Sequence, residues 1–462
     1  MLKNVIIVFL ILTIVFSINV AYSETLQDRQ KLEKDLKSVE KEIDKNPEDA
    51  KLWHVKGYIL FELQRYEDAI KAMDRATEID SNFVEAIVSK GFCLYSLKRF
   101  EDAIAVYKQA INKDSTLEIA WFGLGNAFVE LRNNKEAFEA FDKATEIDSM
   151  YVSAWNKKGI VLRALGKYEE AVKAYQKAIE LQPNNAQFWN NKGSAIMGLR
   201  EFDDAIECFD KAIKINQDYA TAWNNKGTAL IEMKRYEEAL SAFEKSIEID
   251  STIALAWYHK GTALFMLDNH EGALIALNKA IEIDSTLGLA WYTKGVVLQE
   301  LARYEEAVSC SDRSIMIDST FYLSWYQKAH ALDKLGKQEE AIKAYEKVVE
   351  INPEFFEAWN SKGVVLRNLG KNHESLKSYE KALKINPSYS SAWNNKGVVL
   401  HALEEYKNAL HAYNKAIMLD STFRIAWKNK GVTFLELENW KEAVKCFKQT
   451  IEIDAHDTQA WH

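Results

Sequence analysis

The chain has 462 residues, 27% charged and 48% hydrophobic, with only 4 Pro and 18 Gly. That length exceeds one compact core, and that composition excludes a disordered or turn-rich chain. Lys and Arg total 59 against 68 Asp and Glu, so the basic footprint that a phosphate backbone requires is missing and no nucleic-acid partner is expected.

In chain order, residues 1–24 come first, MLKNVIIVFLILTIVFSINVAYSE. One Lys precedes an apolar run from Val5 to Phe16 and a small-residue stretch ending at Ser23. The pattern predicts a signal peptide over 1–23 and an exported chain, secreted, periplasmic or on the outer side of the cell envelope. The alternative is an uncleaved N-terminal membrane anchor, the only membrane contact expected. The run is shorter than the roughly 20 residues of a span. Residues 24–49 follow, with Leu36, Val39, Ile43 and Pro47 at helical spacing. They predict a capping helix, half of the unit described next.

From residue 50 to 457 a 34-residue period runs twelve times. Tryptophan falls at 53, 121, 155, 189, 223, 257, 291, 325, 359, 393, 427 and 461, with Ile87 at the one skipped place. Glycine follows four residues later in every unit except at Ala329. The four prolines, Pro47, Pro183, Pro353 and Pro387, each lie six residues before a tryptophan. Each unit reads as two helices. In the sixth, Trp223, Gly227 and Leu230 mark one face of the first, and Ala239, Phe243 and Ile247 one face of the second. Gly166, Gly336 and Gly370 fit helix C-caps in the turn between them. Residues 458–462 begin an incomplete thirteenth unit.

This pattern resembles the tetratricopeptide repeat family, in the Trp–x3–Gly phrase, the later Ala and aromatic, and the closing Pro or Ser. The resemblance implies an all-α fold, a right-handed α-solenoid superhelix of about twelve helix-turn-helix units whose first helices line a concave groove. The repeats are also similar to the repeat arm of O-linked N-acetylglucosamine transferases, which carries an asparagine ladder two residues past the marker. Asn191, Asn225, Asn395 and Asn429 match it.

On a helical wheel, Asn224 and Asn225 point away from the core, as do Asn190 and Asn394 in their units. Spaced amides can grip a peptide backbone, having donors and acceptors. In the middle units the phrase changes to WYHKG, WYTKG and WYQKA. Tyr258, Tyr292 and Tyr326 replace asparagine, and Leu255, Leu289 and Leu323 precede the tryptophans, joined by Phe265 and Met266. These predict an apolar groove floor, with packing between adjacent first helices as the competing reading. The lysine three residues past the marker, present in every unit except at Leu124, is read as a stem covering a repeat boundary.

Catalytic and metal motifs are missing. Cys208, Cys310 and Cys446 share one place in units several repeats apart, and Cys93 lies far from them, so free buried thiols are expected. No cofactor is expected. The reading is a non-catalytic scaffold for an extended peptide or partner protein of unknown identity. Its alternatives are an assembly component of a cell-envelope complex, open to end-to-end self-association, and the regulatory repeat arm of a truncated enzyme.

Overall fold

The computed structural model describes residues 26–453. The expected signal peptide over 1–23 and the expected start of a thirteenth unit at 458–462 lie outside the described residues. Among the described residues there are 25 helices and no strand. The first, Leu26–Lys45, turns Leu36 and Ile43 into the adjoining core. Twelve helix pairs follow, numbered here in chain order from Ala50–Glu62 with Tyr66–Ile79 to Arg424–Glu436 with Trp440–Ile453. They fall into two units: pairs 1–5 belong to the first, ending at Gln217, and pairs 6–12 to the second, from Asp218. Within each unit a helix packs on the one before and the one after it. First helices also meet, as pair 6 meets 7, 7 meets 8, 8 meets 9, 10 meets 11 and 11 meets 12.

The repeated residues have local causes. Trp Nε1 donates to the carbonyl six residues back, at Pro47, Pro183, Pro353 and Pro387 and at Ser115, Ser251 and Ser421, over 2.8–3.1 Å. The indole is half-buried and ties each loop to the helix it introduces, beyond its packing role. In the Asp-Ser-Thr loops, Asp284 Oδ1 accepts from the Thr286 amide at 2.9 Å and its hydroxyl at 2.7 Å. Asp250, Asp318 and Asp420 repeat that turn. The hydroxyl and amide bonds hold Asp250, Asp284 and Asp318 below the usual carboxylate range.

Between the helices of a pair the backbone passes through the left-handed region. Gly166, Gly336 and Gly370 take it at φ of 73–74°, as expected of C-caps. Lys234, Asp268 and Ala302 adopt it at 59°, 58° and 55° without a glycine's freedom.

The marker glycine admits an aromatic ring from the second helix. A Cβ at Gly227 would lie 2.5 Å from Phe243 Cε1, and one at Gly397 would lie 2.5 Å from Tyr413 Cε1. Both rings are fully buried, so helix approach at the glycine and ring burial are one feature.

The lysines behave as boundary covers. Lys260 pairs with Glu244 at 3.0 Å, Lys362 with Glu346 at 2.9 Å and Lys396 with Glu380 at 2.9 Å, each on the preceding second helix. Their ammonium groups also stand 5.8 Å from the centres of Trp257, Trp359 and Trp393. All four cysteines are buried free thiols.

Candidate protein-binding face

The asparagines correct the wheel. Asn190, Asn224 and Asn394 are buried, with Asn156 and Asn360 in the same place. A wheel drawn with one partner misses that a first helix packs on the second helices before and after it and, in a second kind of seam, on the first helix of the next pair. The residue one past the marker turns into that second seam.

In several seams this residue meets the residue two past the next marker. Asn191 Nδ2 donates to Asn156 Oδ1, Asn395 to Asn360, and Asn429 to Asn394, all at 3.0 Å. Elsewhere other side chains keep the geometry. His259 Nδ1 donates to Asn224 Oδ1 at 3.0 Å; His54 Nε2 meets Ser89 Oγ at 3.0 Å, and Tyr326 Oη meets Ser361 Oγ at 3.3 Å. Asn225 is half-buried in the corresponding place. The amides therefore join repeats. Burial depresses His54 and His259 to about 4, because a charged ring would lose its hydration.

Tyr292 and Tyr326 also lie in seams. Tyr292 stacks edge-on against Phe321 at 5.2 Å, and Tyr326 against Phe355 at 5.1 Å. Tyr258 is half-buried beside His259, and Phe265 packs on the ring of His270 at 5.6 Å. These rings support the floor from its edges instead of lying open on it. Nearer the N-terminus, Phe92 meets Tyr107 at 5.6 Å, and Phe122 meets Tyr151 at 4.9 Å.

The leucines two residues before the markers remain open. Leu255 is 47% exposed, Leu289 46%, and Met266 of the same face 46%; Leu323 is half-buried. Val296, five past its marker, lies half-buried at a wheel angle beside the leucine row. Burying one of these half-open leucines under a partner would contribute roughly 1 kcal/mol. Glu300 and Glu357 share this wheel sector. Among the described residues no cluster of His, Cys, Asp or Glu could hold a metal ion. No described helix is long and apolar enough to cross a membrane.

The boundary of pairs 8 and 9 holds residues that the motif pattern passes over. Ser311 stands where pairs 6 and 9 have Phe243 and Tyr345, and is fully buried. Gln327, two past its marker, is 4% exposed and fills the vacancy. Its Oε1 accepts from Ser311 Oγ at 2.9 Å, and its Nε2 donates to the Tyr292 carbonyl at 3.0 Å. Ser324 Oγ donates to Ser314 Oγ at 2.7 Å, and Ser314 Oγ to the Gly288 carbonyl at 3.1 Å.

Four tetratricopeptide-repeat models match along the chain: at residues 91–131 and 159–199; at 322–355, 356–389 and 390–423; at 184–252 and 218–286; and at 50–83, 119–149 and 289–321. A model of anaphase-promoting complex subunit 5 matches 418–460. No curated protein matches. Among solved structures, the APC/C hetero-tetramer Cut9–Hcn1 aligns over 89% of this chain and 95% of its own at 12% identity, TM-score 0.44. Two MamA structures align at 24% and 25% identity over 37% and 35% of this chain and 92% and 94% of theirs, TM-scores 0.34 and 0.33. With matched repeats spanning most of residues 50–423, the chain belongs to the tetratricopeptide-repeat family, an array for protein association.

Proposed function

We propose that the chain is a non-catalytic scaffold that holds an extended peptide, or an extended segment of a partner protein, on the first-helix face of pairs 7–9. The observation that carries this is the row Leu255, Leu289 and Leu323, one per pair at one place, open or half-open on a frame in which the His259 and Gln327 side chains are already engaged. Packed helices lie about 8–10 Å apart and an extended chain rises about 3.3 Å per residue. Every third peptide residue then meets the next leucine.

Leu255→Ala with Leu289→Ala abolishes capture of partner protein from an extract of the chain's own cell, at an unchanged melting temperature. Capture surviving both substitutions refutes the reading. Tyr292 is unsuitable for this test, because its ring packs on Phe321 and its loss also weakens the stack.

A second reading, assembly through the last pair, is favoured by Trp440, Val444 and Leu437, which are 63%, 51% and 41% exposed. It predicts that Trp440→Ala with Val444→Ala abolishes self-association while leaving peptide capture intact. Export rests on residues 1–23, and an N-terminal sequence of the mature chain beginning at Glu24 supports it. A mature chain that retains residues 1–23 refutes cleavage.

A further inference from the structure

We infer that the joint between pairs 8 and 9 is the opening point of the second unit, and that Gln327 is its latch. Stability in a repeat array is approximately a sum of repeat terms and nearest-neighbour terms, so one weak neighbour term divides the array into blocks. At the other described glycines of this class the wedge is apolar: Phe243 at Gly227, Leu277 at Gly261, Tyr379 at Gly363 and Tyr413 at Gly397. At Gly295 the space is taken by the Gln327 carboxamide, whose Oε1 would lie 2.7 Å from an added Cβ. An aromatic ring buries some 150–250 Å². Ser311 forfeits that burial and returns a single hydrogen bond to Gln327.

The exchange also changes how this residue meets the preceding pair. Residues at Gln327's place elsewhere in this unit, His259, Asn395 and Asn429, hold the seam between first helices through a side chain on the preceding pair. Gln327 instead makes no bond to a side chain of the preceding first helix, donating to the Tyr292 backbone and accepting from Ser311 beneath it. The Gln299 amide donates to the Gln327 carbonyl at 2.7 Å. Ser311, Ser314, Ser324 and Gln327 thus form a buried polar layer across this one joint, in which every bond has a ready substitute in water once the joint parts. The joint also separates Leu289 from Leu323, so opening divides the row of leucines. The opening itself does not rest on that row's binding a peptide.

Hydrogen exchange on the full chain tests this. In a uniform stack the middle pairs are the most protected, because ends fray first. Pairs 8 and 9 lie in the middle of the seven pairs of the second unit. The expected result is that amides of Tyr304–Ile317 and Tyr322–Lys334 exchange at least about tenfold faster, after correction for intrinsic rates, than those of Ser390–Ala402 and Tyr406–Leu419. Ser311→Phe with Gln327→Asn, which restores the wedge and the seam amide, slows exchange at the joint about tenfold and leaves 390–419 unchanged. Ser311→Leu, which copies the Leu277 wedge, gives a smaller slowing and serves if the double variant does not fold. Protection at 304–334 equal to or above that at 390–419 overturns the proposal. So does a folded Ser311→Leu chain whose joint exchanges at the wild-type rate.

Discussion

The joint of pairs 11 and 12 and the joint of pairs 8 and 9 solve one packing problem differently. At the first, Tyr413 fills the space beside Gly397 and Asn429 reaches across to Asn394. At the second, Ser311 leaves the space open and Gln327 drops into it. The difference teaches that the two recurring devices, ring wedge and seam amide, are coupled. When the wedge is lost, the seam residue is recruited to replace it.

Truncating the wedge breaks the comparison most sharply. Tyr413→Ala costs about 3–5 kcal/mol in denaturant unfolding, as a fully buried ring is lost. Ser311→Ala costs only about 1–2 kcal/mol, through the donor that Gln327 loses.

Acid acts next. His54 and His259 titrate near 4 in the folded chain, below their ordinary value of 6.5. Between those values the unfolded chain binds more protons, so stability rises with pH there. It is fully present above about 6.5 and is lost as pH falls toward 4, by up to roughly 3 kcal/mol per histidine. His259→Asn keeps a seam donor toward Asn224 and flattens that part of the profile of melting temperature against pH. An unchanged profile contradicts the assignment.

Smaller again is Asn394→Ala, which strands the Asn429 amide and costs about 1–2 kcal/mol by thermal melting. A double-mutant cycle with Asn429→Ala shows coupling between the two sites. The smallest effect on stability belongs to Leu255→Ala with Leu289→Ala, within about 0.5 kcal/mol, because both side chains are already half in water.

The 34-residue period was legible in the residues because one supersecondary unit recurs without insertion, and it led directly to helix pairs with the observed turns. The Pro and Ser places were legible as loop markers. That their carbonyls receive the tryptophan N–H emerges only when the loop folds back on the helix. The burial of Asn190, Asn224 and Asn394 was hidden, because a single-helix wheel contains no neighbouring repeat. The open leucines were legible from their wheel angle, whereas Tyr292 and Tyr326 beside them turned into the seams. Ser311 could have been found by phase alone, standing where Phe243 and Tyr345 stand. The inward turn of Gln327 could not, since it answers a vacancy on another helix.

The central claim is that seam amides hold the array while open leucines read the partner. Melting temperature and partner capture, measured together on Asn394→Ala with Asn429→Ala and on Leu255→Ala with Leu289→Ala, test it most directly. The account predicts that the asparagine pair lowers melting and retains capture, and that the leucine pair retains melting and loses capture. Loss of capture in the asparagine pair at unchanged melting would contradict it.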